Sequence, residues 1–170
     1  MKFKTISVVG LGYIGLPTAA MLASCKQKVI GVDVDKNIVD TVNAGRIHIV
    51  EPKLETLVKD AVRNRYLMAS QKVMSADVHV IAVPTPFLPL GSADSTPEPD
   101  LSYVEAASKS ISKVLKKGDL VILESTSPVG TTEKMVSWLE KEREDLTFPL
   151  NHGDNSDIRI AYCPERVLPG

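Results

Sequence analysis

Apolar and polar residues alternate along this chain in two rhythms. Short, mostly β-branched apolar runs at residues 6–9, 29–32, 67–69, 78–83, 120–123 and 158–162 read as buried strands. Between them lie longer stretches whose apolar positions recur every three or four residues, the period of an amphipathic helix. Residues 13–23 place Ile14, Ala19, Leu22 and Ala23 on one face, with Pro17 in the first turn, where its missing N–H does little harm. Residues 35–44 do the same with Ile38, Val39 and Val42, opened by Asp35 as N-cap and stopped by Gly45. Residues 53–65 repeat the pattern with Leu54, Leu57, Val58, Ala61 and Val62. Residues 101–115 end on Lys116, Lys117 and Gly118, cations and a glycine at the helix end that favours them. Residues 131–141 form the last predicted helix. Residues 87–100, with Pro89, Gly91, Pro97 and Pro99, read as a loop, and 146–157 as irregular and polar.

Strands alternating with helices imply a parallel sheet covered on both faces. With right-handed crossovers this is an α/β, Rossmann-type doubly wound sheet of about six strands in the order 3-2-1-4-5-6. A flavodoxin-like order satisfies the same spacing. The 170 residues suit one domain, 1–170. Twenty basic and 21 acidic side chains leave a net charge of −1, without the basic excess of a nucleic-acid-binding protein. Two cysteines, Cys25 and Cys163, are too few for a disulfide framework and suit a reducing compartment. The start, Met1-Lys2-Phe3-Lys4-Thr5, leads into an apolar stretch broken at Gly10 and Gly12, so a signal-peptide core is missing. No run approaches the ~20 apolar residues of a membrane span. The expectation is a soluble cytoplasmic domain without nucleic-acid or membrane partners.

The first strand runs into Gly10-Leu11-Gly12-Tyr13-Ile14-Gly15, a G-x-G-x-x-G between a strand and a helix. Gly10 permits a tight turn, Gly12 lets a pyrophosphate approach the backbone, and Gly15 lets helix and strand pack closely. The helix N-terminus offers free N–H groups to phosphate. The second strand ends at Asp33, 18 residues beyond Gly15, where an acid accepts hydrogen bonds from the adenosine ribose. A carboxylate there repels a 2′-phosphate, which favours NAD over NADP. Lys36 stands close enough to complicate that exclusion.

Ligands of such sheets lie beyond the carboxyl ends of the strands. After the fourth strand, Pro84 and Pro86 stiffen a turn that leaves the Thr85 hydroxyl at the crevice. After the fifth, Glu124-Ser125-Thr126-Ser127-Pro128-Val129-Gly130-Thr131-Thr132 clusters hydroxyls before a helix. Thr131 or Thr132 is placed to cap it, and Thr126, nearest the strand, is the candidate for the chemical side of the site. After the sixth, Cys163-Pro164-Glu165-Arg166 brings a carboxylate that can orient water or act as a base. His48, His79 and His152 lack metal-ligand spacing, so no metal is expected. Cys25 and Trp138 read as packing residues, Cys163 as a thiol without an acid–base partner, and 140–145 as a solvated charge run.

Together, Val9 through Pro17, the Asp33 strand, Ile47-His48-Ile49-Val50-Glu51-Pro52, Val83-Pro84-Thr85-Pro86, residues 124–130 and residues 163–170 resemble the nucleotide-sugar 6-dehydrogenases, over nearly the whole chain. Pro164-Glu165-Arg166 is similar to the branch that oxidises N-acetylmannosamine rather than to the Asn-Pro-Glu-Phe of UDP-glucose enzymes, although UDP-glucose or another UDP-sugar stays open. The resemblance implies NAD as cofactor and two hydride transfers from C6 of a UDP-sugar. It also implies a homodimer for the full-length protein and a product used in bacterial surface polysaccharides such as enterobacterial common antigen. It carries Tyr13, Ile14, Asp33, Thr85, Thr126 and Thr132 to NAD, Glu165 and Thr126 to a catalytic water, and Arg166 and Val167 to the substrate. The family's nucleophilic cysteine, in Gly-Gly-x-Cys, and its lysine belong beyond Gly170, in central helical and substrate domains. This chain alone is therefore expected to bind NAD without turnover. Residues 88–97 are longer than usual for the family. A stand-alone NAD-binding regulatory module is the reading from another class.

Overall fold

The computed structural model describes residues 3–88 and 97–165. In chain order the elements are β1 (Thr5–Val9), α1 (Gly15–Ser24), β2 (Lys28–Val32), α2 (Lys36–Asn43), α3 (Leu54–Arg63), β3 (Leu67–Ser70) and β4 (Val78–Ile81). They continue with α4 (Ser102–Ser112), β5 (Leu120–Leu123), α5 (Thr131–Glu142), the short α6 (Pro149–His152), a 3-10 turn (Gly153–Asn155) and β6 (Arg159–Tyr162). All strand pairs are parallel, and the sheet order is β3-β2-β1-β4-β5-β6. The doubly wound order is thus the observed one, and the flavodoxin-like alternative falls.

One core layer lies under α1, α2 and α3 and joins Val8, Leu16, Val42, Val58 and Val80. The alanines of α1 let that helix lie close to the strands, since Ala19, Ala20 and Ala23 are buried. The other layer lies under α4 and α5 and joins Ile81, Ile111, Leu123, Met135 and Leu139. Trp138 packs partly buried against this second layer. Asp35 caps α2 by accepting the Asn37 N–H at 2.8 Å, and Gly45 ends it with φ of 70°.

Four expectations change. β4 stops at Ile81 instead of reaching residue 83, because the Val83 carbonyl accepts from the Ser125 hydroxyl at 2.9 Å rather than from a strand neighbour. Residues 146–157 hold α6 and the 3-10 turn, and Phe148, just before α6, is fully buried in the second core layer. Gly130, with φ of 89°, occupies the N-cap of α5 in place of Thr131 or Thr132, and the Thr131 hydroxyl donates to the Pro128 carbonyl. Cys25 is exposed at the end of α1 and does no packing. In the predicted 87–100 loop, Phe87 and Pro99 form an antiparallel bridge that draws the two ends together, and residues 89–96 lie outside the described ones.

His79 lies mid-strand in β4, fully buried beside its cross-strand neighbour Ser7. Neither ring nitrogen has a hydrogen-bond partner, and Asp119 is 3.9 Å away. Burial pushes this imidazole down to about 4, against the opposing pull of Asp119. The group is therefore held neutral.

Candidate functional site

The strand ends β1, β2, β4 and β5 open into a cleft of about 1050 Å³. Gly10 takes a left-handed φ of 94°, and a Cβ on Gly15 would stand 1.7 Å from the Gly10 carbonyl oxygen, so the turn and the helix close on each other as the fingerprint demands. A Cβ on Gly12 would meet no protein atom within 4 Å, and Gly12 lines the cleft. Its missing side chain leaves open the space a pyrophosphate needs.

At one end of the cleft, Asp33 receives the Leu11 N–H on Oδ2 at 2.9 Å and the Asp35 N–H on Oδ1 at 3.0 Å. Each oxygen keeps a lone pair for a ribose hydroxyl. Lys36 pairs with Asp40 one turn along α2 and does not line the cleft, so it does not offset the Asp33 charge there. The wall here also includes Gln71, Lys72 and Lys113, which sequence reasoning missed. Gln71 donates to the Val34 carbonyl at 3.1 Å. Gln71-Lys72 follows β3 and Lys113 ends α4, and no local pattern marks them.

At the other end, the Thr85 hydroxyl donates to the Thr126 carbonyl, and the Thr126 hydroxyl to Glu165 Oε2 at 3.0 Å. Thr85, Thr126 and Glu165, chosen separately from three strand ends, thus form one connected chain. Tyr13 and Ile14 line the same cleft, while Thr132 does not. Arg166 and Val167 lie outside the described residues. Neither Cys25 nor Cys163 lines the cleft, although Cys163 follows β6 and is exposed. Among the described residues no group of three His, Cys, Asp or Glu side chains is placed to hold a metal.

Glu124 opens the hydroxyl-rich segment after β5, and the sequence assigns it no role. It lines the cleft, its Oε2 is buried without a hydrogen-bond partner, and burial raises its carboxyl above the ordinary range. A Thr18 hydrogen bond opposes that rise, and the charge of Glu165 adds to it.

A glycine turn at a helix N-terminus, an acid at the end of β2 and a cleft across the switch between β1 and β4 define a Rossmann-type domain that binds a nicotinamide dinucleotide. Residues 4–170 match the NAD-binding domain of the UDP-glucose/GDP-mannose dehydrogenase family, and the chain belongs to that family. It is 62% identical over 170 residues to the UDP-N-acetyl-D-mannosamine dehydrogenase of Yersinia pestis, covering 100% of this chain and 39% of that protein. It is 60% identical over the same span to the NDP-N-acetyl-D-galactosaminuronic acid dehydrogenase of Ralstonia nicotianae, again 39% of the relative. The solved UDP-N-acetyl-mannosamine dehydrogenase of Staphylococcus aureus superposes with a TM-score of 0.84 at 37% identity, over 98% of this chain and 38% of that one. The chain thus spans about two fifths of the length of these relatives, and its cofactor is NAD.

Proposed function

We propose that these residues form the cofactor half of an enzyme that oxidises UDP-N-acetyl-D-mannosamine at C6 to the uronate. The relative of that name, 62% identical over this chain, is the observation that carries the reading. Taking a primary alcohol to a carboxylate removes two hydrides and adds the oxygen of one water; NAD, when bound, accepts the hydrides. The residues of this chain hold and orient. Asp33 fixes the adenosine ribose, the 10–15 turn receives the diphosphate, and Thr85 braces the wall by holding the Thr126 carbonyl. Thr126 and Glu165 are adjacent and suited to align a water against the C6 carbonyl carbon, with Glu165 taking its proton. Arg166 and Val167 begin the sugar site.

The second hydride transfer follows a covalent route through a cysteine nucleophile in this reading. Neither cysteine of the chain lies in the cleft. The 170 residues alone therefore bind NAD and do not turn over, and central helical and substrate domains complete the enzyme, a homodimer. The near-neutral charge and the absence of a membrane-length apolar helix among the described residues fit a cytoplasmic enzyme supplying a surface-polysaccharide precursor.

Titration calorimetry of the purified chain with NAD, followed by NADH fluorescence with UDP-N-acetyl-D-mannosamine added, tests both statements. Binding without steady NADH production is expected; sustained production by these residues alone defeats the reading. UDP-N-acetyl-D-galactosamine, a stereoisomer that differs at C2 and C4, is the second substrate to assay on the whole enzyme, because the relative named for galactosaminuronic acid is 60% identical. Faster oxidation of that isomer shifts the substrate to it.

A further inference from the structure

We infer that Glu124 is a cofactor-positioning residue, with its unpartnered Oε2 accepting a hydrogen bond from the carboxamide N–H of the nicotinamide. This rests on the reading of the cleft as an NAD site and adds to it the contact that orients the reacting ring.

The length of the cofactor sets where each of its parts falls in the cleft. Asp33 takes the adenosine ribose at one end of the cleft, and Gly12 leaves room for the diphosphate at the middle. The second ribose and the nicotinamide then lie over the ends of β4 and β5, where Val83, Thr85, Glu124, Ser125 and Thr126 line the wall. The nicotinamide carries one uncharged polar handle, a primary amide, whose N–H groups require an acceptor when buried.

Each hydroxyl lining this end is already engaged in a hydrogen bond within the protein. Thr85 donates to the Thr126 carbonyl, Ser125 to the Val83 carbonyl, and Thr126 to Glu165. Glu124 is different, because its Oε2 is buried in the cleft wall with no partner. A buried oxygen left so is uncommon in folded proteins unless a ligand or water completes it. The residue is also held firmly: its backbone N–H donates to the Ile81 carbonyl at 2.8 Å, locking the end of β5 to the end of β4. A carboxyl carried on backbone anchored to the neighbouring strand, with Oε2 buried and open, suits a planar amide.

Calorimetry on the 170-residue chain tests this with three probes: NAD, ADP-ribose, which has no nicotinamide, and 3-acetylpyridine adenine dinucleotide, in which a methyl replaces the amide nitrogen. Glu124→Ala is expected to weaken NAD by about tenfold, the range of one hydrogen bond to a charged partner, and to leave ADP-ribose within twofold. The wild-type preference for NAD over the acetylpyridine analogue should vanish in that variant. Glu124→Gln, whose amide oxygen accepts the same bond, should retain the preference. Equal losses for NAD and ADP-ribose, an unchanged preference in Glu124→Ala, or a Glu124→Gln variant that behaves like Glu124→Ala each overturn the assignment. If the wild type binds neither NAD nor ADP-ribose, the cofactor reading itself fails and this assignment with it.

Discussion

The Asp33 carboxylate accepts the Leu11 backbone N–H at 2.9 Å, so the acid that ends β2 also holds the glycine turn that follows β1. One side chain therefore shapes the glycine turn and lines the cleft. Removing it withdraws both effects. Asp33→Ala is expected to weaken NAD by ten- to a hundredfold, since a hydrogen bond to a charged group is worth roughly 1.5–3 kcal/mol. It should also lower thermal stability, because the Leu11 and Asp35 N–H groups both lose their acceptor. Calorimetry with NAD and NADP checks the first effect and a melting curve the second. NAD affinity equal to wild type would defeat the ribose assignment.

Gly12 and Gly15 separate ligand room from packing. A Cβ at Gly12 meets no protein atom within 4 Å, whereas one at Gly15 would stand 1.7 Å from the Gly10 carbonyl oxygen. Gly12→Ala should leave the unfolding free energy within about 0.5 kcal/mol and reduce NAD affinity at least tenfold. Gly15→Ala should destabilise the fold by about 3 kcal/mol or more, because backbone must move. Urea unfolding and NAD titration of both variants read the contrast. A Gly12→Ala protein with wild-type affinity would show that the diphosphate lies elsewhere.

His79 gives the stability a pH dependence of defined sign. Its imidazole is free to take a proton at the ordinary value of about 6.5 in the unfolded chain, but burial holds it near 4 in the fold. Between those values the unfolded state binds more protons, so stability is full above about pH 6.5 and falls as the pH drops toward 4. The shift corresponds to about 3 kcal/mol at most. His79→Leu removes the titration, and its stability should change less than wild type between pH 7 and pH 4.5. Unfolding curves at the two pH values check this. Parallel losses in both proteins would assign the acid sensitivity to other groups.

Much of this architecture is legible in the sequence because the information is local. The Gly10–Gly15 spacing and the acid at Asp33 announce the turn and the carboxylate that lines the cleft, and each short apolar run becomes a strand in the predicted order. What escapes is set by distance along the chain or by a face that periodicity does not specify. Glu124, Lys72 and Lys113 reach the cleft from separate elements. His79 sits in a strand buried on both sides, where alternation carries no label for inside and outside. Phe148 opens a stretch with no strand or helix period, yet it and Leu146 are buried, because the chain before β6 turns back over the core. Gly130 rather than a threonine begins α5, since a left-handed turn there suits glycine better than a side-chain cap.

The pair formed by Thr126 and Glu165 is the last point of test. The Thr126 hydroxyl donates to Glu165 Oε2 at 3.0 Å, while Thr85 holds the carbonyl of the same threonine from the other side. A carboxylate so tethered has its Oε2 directed by the protein at the edge of the cleft. Thr126→Val retains the shape of the side chain and removes the donor. In the whole dehydrogenase it should lower kcat by about a hundredfold, the lower range for a displaced general base, with NAD affinity reduced less than fivefold. Glu165→Gln should lower kcat further, because an amide cannot take the proton of the water. Thr126→Ser restores the hydroxyl and should recover most of the rate. Steady-state kinetics with the UDP-sugar, beside NAD titrations of each variant, distinguish orientation from binding: a Thr126→Val enzyme with unchanged kcat would remove this pair from the chemistry and leave it as a brace between β5 and β6.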